Sequence, residues 1–382
     1  MKILIAPDSF KGSLTAKEVA TSIKRGIENV SKESVKTVSL PLADGGEGTM
    51  FNLVESTNGY IHNTLVSNPL GKEIKASYGI TGDGTKAIIE LASASGLQTL
   101  KDEELDPCIT STYGTGELIL DALEKGIRSF IICLGGSATN DCGVGLLKAI
   151  GYQFFDKDGK EIDSGGASLS KLKMIDDSNI DKRIKQSEIQ VAFDVTNPLV
   201  GKNGASNVFG PQKGASKKTV AILDKALFQF AKCVEKYNGK KVYNLKGGGA
   251  AGGTAAGLYG LLDVELKSGF EIVKETLDLN ELFEKEKFDL VFTGEGKIDN
   301  QTAYGKTISG VVKLSKYYNV NTIAIVGSIE NNLCELYNQG LTAAFSIVNA
   351  PMSLENSMKE AKHLIYYQSM QVFRLISNLK KV

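Results

Sequence analysis

Histidine is scarce in this 382-residue chain: His62 and His363 are the only two, and neither lies in a glycine-rich or acidic stretch. That argues against a catalytic or metal-binding histidine. Cysteine is sparse as well. The five, at 108, 133, 142, 233 and 334, are odd in number and form no C-x-x-C pair. A disulfide framework and structural zinc are thereby disfavoured, and a reducing, cytoplasmic setting is expected. Net charge is lacking: Lys plus Arg is 44 and Asp plus Glu is 44. Such a balance leaves no electrostatic footprint for a nucleic-acid backbone or an anionic membrane. An anionic ligand would have to be held by local charge and backbone N–H groups. No apolar run approaches transmembrane length, and the apolar start ends at Pro7-Asp8, too early for a signal peptide.

What is present is the composition of a folded enzyme, 42% hydrophobic and 23% charged. The length favours two domains. The chain opens as strand, loop and helix: an apolar run at 2–6, a capping-box pattern at Thr15 and Glu18, then Val19, Ile23, Ile27 and Val30 at helical spacing. A second strand is expected at 35–40. From about residue 63 the style changes to short runs at 65–66, 74–80 and 87–91, separated by turn signals, as in antiparallel or mixed strands. Further strands are expected at 130–134, 188–195 and 241–245, with helices at 116–125 and 219–237. The opening pattern returns at 289–293, 322–326 and 344–348, and a long amphipathic helix closes the chain. This implies an α/β protein with one domain from both chain ends, 1–62 plus 287–382, and an inserted domain at 63–286.

Seven candidate sites, one of them a pair of loops, carry the groups that chemistry needs. Asp8-Ser9-Phe10-Lys11 lies between a strand end and a helix start, where open α/β sheets bind ligands; it reads equally as a capped turn. Asp44-Gly45-Gly46-Glu47-Gly48 can hold Mg²⁺ or hydroxyls, or be an ordinary acidic turn. Gly114-Thr115-Gly116-Glu117 and Gly135-Gly136-Ser137-Ala138-Thr139-Asn140-Asp141 expose backbone donors and hydroxyls, as anion-binding loops do. Asp194 ends an apolar strand, where partial desolvation suits a general base; it serves equally as a turn acceptor before Asn197-Pro198. Lys213, between Gly210 and Gly214, can contact a phosphate or be a solvated charge. The 247–253 loop is dense enough in glycine for close approach of backbone to phosphates, and a strand is expected before it. Gly294-Glu295-Gly296-Lys297-Ile298-Asp299 offers metal binding or domain closure at another strand end.

Two familiar patterns fail. Gly247-x-Gly249-x-x-Gly252 matches a dinucleotide fingerprint but has no acid-ended strand about twenty residues on, and Gly305-Lys306-Thr307 lacks the first glycine of a P-loop.

Six of these motifs, in this order along the whole chain, resemble the type-one bacterial glycerate kinases: Ile5-Ala6-Pro7-Asp8-Ser9-Phe10-Lys11, Ala43-Asp44-Gly45-Gly46-Glu47-Gly48-Thr49, the 135–141 loop, Asp194-Val195-Thr196-Asn197-Pro198-Leu199, Phe209-Gly210-Pro211-Gln212-Lys213-Gly214-Ala215 and Gly294-Glu295-Gly296. The resemblance implies two unlike α/β domains, a Rossmann/flavodoxin-like parallel-sheet domain and an inserted mixed-sheet domain, with the active site in the cleft between them. It implies transfer of the γ-phosphoryl group of ATP, with Mg²⁺, to D-glycerate, the product in this family being more often 2-phosphoglycerate than 3-phosphoglycerate. A monomer or homodimer is expected. Asp194 is then the base, with Lys11 and Asp8 beside it in the catalytic set. Asp44, Gly45, Glu47 and Ser9 are assigned to the substrate. Ser137, Thr139, Asn140, Lys213, Gly247, Gly248, Gly249, Gly252, Gly253 and Glu295 are assigned to phosphate and nucleotide, and Asp141 and Asp194 to Mg²⁺. Three positions depart from the expected family pattern: Tyr113 in place of Arg, Cys142 in place of Gly, and Lys246 in place of a small residue or Pro. The rivals are a nicotinamide-dependent hydroxy-acid oxidoreductase, resting on the glycine fingerprint, and a non-catalytic small-acid sensor.

Overall fold

The structure, a computed structural model, describes residues 1–31, 35–43, 45–46, 48–299, 302–303, 307–330 and 332–379. Asp44 and Glu47 lie outside these. The chain divides into two compact units, Met1–Asp44 with Ser268–Val382, and Gly45–Lys267. The sequence pattern placed the divisions later, near 62 and 286, and local packing accounts for the difference. Helix Thr49–Ser56 docks on the sheet of the central unit: Met50 N donates to Glu90 Oε1 at 2.9 Å, and Gly79 leaves the space that Val54 and Met50 occupy. At the other end, Phe270 lies against Gly310, and Phe283 meets Phe288 and Tyr318, all within the terminal unit.

In the terminal unit the strands Lys36–Ser39, Lys2–Ile5, Leu290–Thr293, Asn321–Val326 and Leu341–Ser346 lie side by side in that order, all parallel. Numbered along the chain within this sheet, the order is 2-1-3-4-5, the flavodoxin-like arrangement. The strands are short apolar runs because both faces are covered. Ile323 and Ile325 enter one core with Val19, Ile23, Ile27, Leu364, Ile365 and Phe373. Alternate residues Ala324 and Val326 enter the other with Ile308, Val312 and Leu336. Thr15 and Glu18 cap helix Ala16–Ser31 reciprocally, Thr15 N donating to Glu18 Oε2 at 3.1 Å and Glu18 N to Thr15 Oγ1 at 3.3 Å. The closing amphipathic segment is two helices, Leu354–Lys359 and Ala361–Leu379, because Glu360 leaves helical geometry at φ −91°, ψ 2°.

The central unit holds a mixed sheet, ordered Tyr60–Ser67, Glu73–Ile80, Lys86–Glu90, Ser129–Cys133, Glu188–Phe193, Val264–Ser268. The first three strands form an antiparallel meander; Lys86–Glu90, Ser129–Cys133 and Glu188–Phe193 are mutually parallel. The strand expected at 241–245 is instead a coil and turn. Val242 is wholly buried in the core, and Leu245 O accepts Gly248 N at 2.9 Å, so this segment anchors a turn and adds no strand to the sheet. No helix among the described residues is long and apolar enough to cross a membrane.

Helices Ala16–Ser31 and Ala361–Leu379 approach closely at Gly26, where a Cβ would lie 2.5 Å from Tyr366 O and 2.9 Å from Met370 N. Gly26→Ala is therefore expected to cost about 1–3 kcal/mol, read as a lower midpoint in thermal unfolding. An unchanged midpoint would mean that the helix pair separates freely.

Candidate active site

The terminal unit gathers its polar groups where its sheet order reverses, between Lys2–Ile5 and Leu290–Thr293, the crevice at which such sheets bind ligands. Parallel pairing continues past the strands: Ala6 N donates to Phe292 O at 2.7 Å and Asp8 N to Gly294 O at 2.8 Å. Asp8 is buried. Its Oδ1 accepts Ser9 N at 2.6 Å and its Oδ2 accepts the Thr307 hydroxyl at 2.7 Å. Thr307, first residue of helix Thr307–Tyr317, is the one described residue of the Gly305-Lys306-Thr307 motif, and it meets Asp8 although that motif is no P-loop. Glu295 is also buried, and its Oε1 accepts the Thr302 hydroxyl at 2.8 Å. Gly294 and Gly327 leave no room for a Cβ, each facing a backbone oxygen at 2.2 Å. Gly327 N and Ser328 N donate to Glu295 O and Gly296 O, so the loops after three adjacent strands form one surface with Asp8, Ser9, Lys11 and Glu295 on it. Ser9 is half-buried and Lys11 exposed.

In the central unit, loops after Ser129–Cys133 and Glu188–Phe193 meet the glycine-rich segment. Gly249 N donates to Asn197 O at 3.0 Å, and Cys142 N to Gly252 O at 3.2 Å. A Cβ at Gly252 would stand 2.0 Å from Thr139 O, and one at Gly249 2.5 Å from Pro198 O. Ala251, Gly252 and Gly253 all have positive φ, at 49°, 63° and 90°. Much of this glycine is thus spent on letting three backbones touch. Gly247, Gly248, Gly249, Gly252 and Gly253 are buried. Without a preceding strand, the Gly247-x-Gly249-x-x-Gly252 fingerprint also lacks the context that dinucleotide binding requires. Cys142, which stands where a glycine was expected, sits at φ 52°, a conformation glycine adopts freely.

Two of the assigned residues are enclosed by protein. Asp141 was expected to hold Mg²⁺. Its carboxylate is buried and takes four protein donors: Thr112 N at 2.9 Å, the Thr112 hydroxyl at 2.8 Å, Gly145 N at 3.2 Å and Gly143 N at 3.1 Å. Burial pushes its carboxyl above the usual range, and those hydrogen bonds pull it back. Asp141 ties loops together through these bonds, three of them to Oδ2 and one to Oδ1. Lys213, expected to be a phosphate contact or a solvated charge, is not a solvated charge. At 1% exposure it is wholly enclosed, and Nζ donates to Ser137 Oγ at 2.7 Å and Thr139 O at 2.6 Å. Burial pushes its amine down to about 7, against the pull of Asp141.

The remaining residues divide. Asp194 lies one position past its strand and is exposed, not partly desolvated as expected. Thr139 and Asn140 are fully buried. Asn140 Nδ2 donates to Ser206 Oγ at 3.0 Å, while Thr139 Oγ1 and Asn140 Oδ1 have no hydrogen-bond partner among the described residues. The Gly114 and Gly116 positions lie inside helix Tyr113–Glu124, where a Cβ would meet Ser67 O at 1.8 Å and Leu146 O at 2.6 Å; they serve packing. Tyr113 begins that helix, partly exposed, and Lys246 is exposed. Sequence reading overlooked Glu90, a buried carboxylate ending the apolar strand Lys86–Glu90, in register through Cys133 with Ala192, two residues before Asp194. It also overlooked Thr112 and Ser206, single hydroxyls without a motif of their own.

A flavodoxin-ordered sheet and a mixed sheet, each with polar loops at the carboxyl ends of parallel strands, define an α/β enzyme of two units. The model of the glycerate kinase family matches residues 3–377. The chain is 46% identical to glycerate 2-kinase of Escherichia coli K12 over 361 residues, 94% of each chain, and 45% identical to glycerate kinase of Halalkalibacterium halodurans over 363 residues, 95% of each. A crystal structure from Salmonella typhimurium LT2, of a protein provisionally named glycerate kinase 2, superposes with a TM-score of 0.87 at 43% identity, covering all of both chains. The chain belongs to the glycerate kinase family, a family of phosphotransferases.

The enclosed Lys213 has a measurable signature. A free lysine titrates near 10.5, so between pH 7 and 10.5 the unfolded chain holds a proton that the folded chain lacks. The folded pKa is depressed, so its contribution to stability is present above 10.5 and lost as pH falls toward 7. Relative to Lys213→Met, the unsubstituted protein should gain about 1.4 kcal/mol of stability per pH unit inside that window, read by denaturant unfolding. A flat difference would exclude a depressed amine.

Proposed function

We propose that this protein transfers the γ-phosphoryl group of ATP to the 2-hydroxyl of D-glycerate, with Mg²⁺ bound alongside the nucleotide. The observation that carries the proposal is the meeting, in the central unit, of two segments that follow adjacent parallel strands, the 135–141 loop and 194–198, with the glycine-rich 247–253 loop. Phosphoryl transfer needs an oriented hydroxyl, donors on the phosphates and exclusion of water. Asp194 is exposed beside these loops and can reach a substrate hydroxyl. In the proposed step the glycerate oxygen bonds to the γ-phosphorus, its proton passes to Asp194, and the bond from phosphorus to the β,γ-bridging oxygen breaks to release ADP.

Ser137, the Thr139 hydroxyl, Asn140 and the backbone at 247–249 and 252–253 are proposed to serve the phosphates. The buried Thr139 Oγ1, lacking a partner among the described residues, supports that role. Lys11, Ser9, Asp8 and Gly45 are proposed to serve glycerate, with Asp44 and Glu47 from the same motif and Glu295 supporting the loop beside Asp8. No group of three or more His, Cys, Asp or Glu side chains gathers as a metal site among the described residues. That suits Mg²⁺, which keeps several waters and needs only one or two carboxylates plus substrate phosphates; Asp194 would be one. The ion would offset charge on the phosphoryl oxygens. The name of the Escherichia coli relative, glycerate 2-kinase, supports the 2-hydroxyl as acceptor.

A coupled assay of ADP release with D-glycerate tests the activity, and ³¹P NMR of the product distinguishes 2- from 3-phosphoglycerate. Release should depend on both ATP and D-glycerate. Asp194→Asn should lower kcat by roughly 10²–10⁴ with the melting midpoint unchanged; near-normal turnover would move the base to another residue.

A further inference from the structure

Lys213 closes the short turn Pro211–Lys213, its N–H donating to Gly210 O at 2.9 Å. From there its side chain runs inward and bridges two points of the 135–141 loop, Ser137 Oγ at 2.7 Å and Thr139 O at 2.6 Å. We propose that Lys213 is a positioning residue: it orients the Ser137 hydroxyl as a donor to a phosphate oxygen of the nucleotide, without touching the nucleotide itself. This rests on the ATP-dependent activity proposed above.

The direction of the hydrogen bond carries the inference. As an ammonium, Lys213 Nζ has donors and no lone pair, so it donates to Ser137 Oγ as well as to Thr139 O. Ser137 Oγ therefore spends a lone pair on Lys213, and its own proton must point elsewhere. No second protein partner for Ser137 Oγ is found among the described residues, and the side chain is 5% exposed, so its hydroxyl has one direction left in which to donate. Lys213 itself is 1% exposed, with Nζ bonded to Ser137 Oγ and Thr139 O. Burying an amine costs free energy that methionine, similar in length, would avoid, so what the lysine adds at this position is the pair of hydrogen bonds.

Steady-state kinetics on the full chain test this with Lys213→Met, Ser137→Ala and the double variant, varying ATP and D-glycerate separately. Each single variant should raise KM for ATP by roughly tenfold or more, while KM for D-glycerate stays within about twofold. The double variant should be no worse than the poorer single one, because Lys213 acts through Ser137. A loss of packing alone would lower the melting midpoint and multiply with Ser137→Ala, and that outcome overturns the inference. If Lys213→Met does not fold, Ser137→Ala decides: an unchanged KM for ATP overturns the proposal. An unsubstituted protein that releases no ADP overturns the kinase activity and this inference with it; an active one with unmoved variants overturns only the inference.

Discussion

Parallel pairing is the constraint on which both units depend. In a parallel ladder every strand ends on the same edge of the sheet, and each must be followed by a crossover before the next begins. Loops far apart in the chain then become neighbours because the strands are, with no need for any direct attraction between loops. Asp8 and Gly294 are joined by a backbone hydrogen bond of 2.8 Å that simply extends the ladder between Lys2–Ile5 and Leu290–Thr293. The same logic sets the 135–141 loop beside Asp194, through the ladder between Ser129–Cys133 and Glu188–Phe193.

Bringing such loops together puts backbone and polar side chains where water is scarce, and each must be satisfied there. Two devices do this in the central unit. Glycine allows backbone to touch backbone, as at Gly252 against Thr139 O and Gly257 against Cys142 O. Buried ionisable side chains then act as ties: Asp141 accepts from Thr112, Gly143 and Gly145, and Lys213 donates to Ser137 and Thr139. Both residues look like ligands in the sequence, since acids and lysines in glycine-rich loops hold metals and phosphates. Their burial makes them the framework that supports the groups in reach of a ligand.

The fold was legible wherever hydrophobic period and turn chemistry agreed. The strands at 2–5, 36–39, 290–293 and 321–326 are short, apolar and bounded by polar turns, and they stand close to where those signals put them. The exception at 241–245 has the same residue types, but Val242 points into the core and Leu245 closes a turn, so composition alone misleads there. The extent of each unit was less legible. Helix Thr49–Ser56 follows the terminal unit's second strand in the chain, yet Met50 and Val54 find their apolar partners on the central sheet.

Residue order alone determined the alternation of strands, loops and helices, the identity of the polar loops and the resemblance to glycerate kinases, because these depend on local spacing and on motifs that remain contiguous. Only the tertiary structure decided what each polar side chain faces. Asp141 and Asp194 are both carboxylates in loops after strands, but one is enclosed by four donors and the other is exposed. Burial and hydrogen-bond direction arise from segments distant in the chain, and no local pattern encodes them.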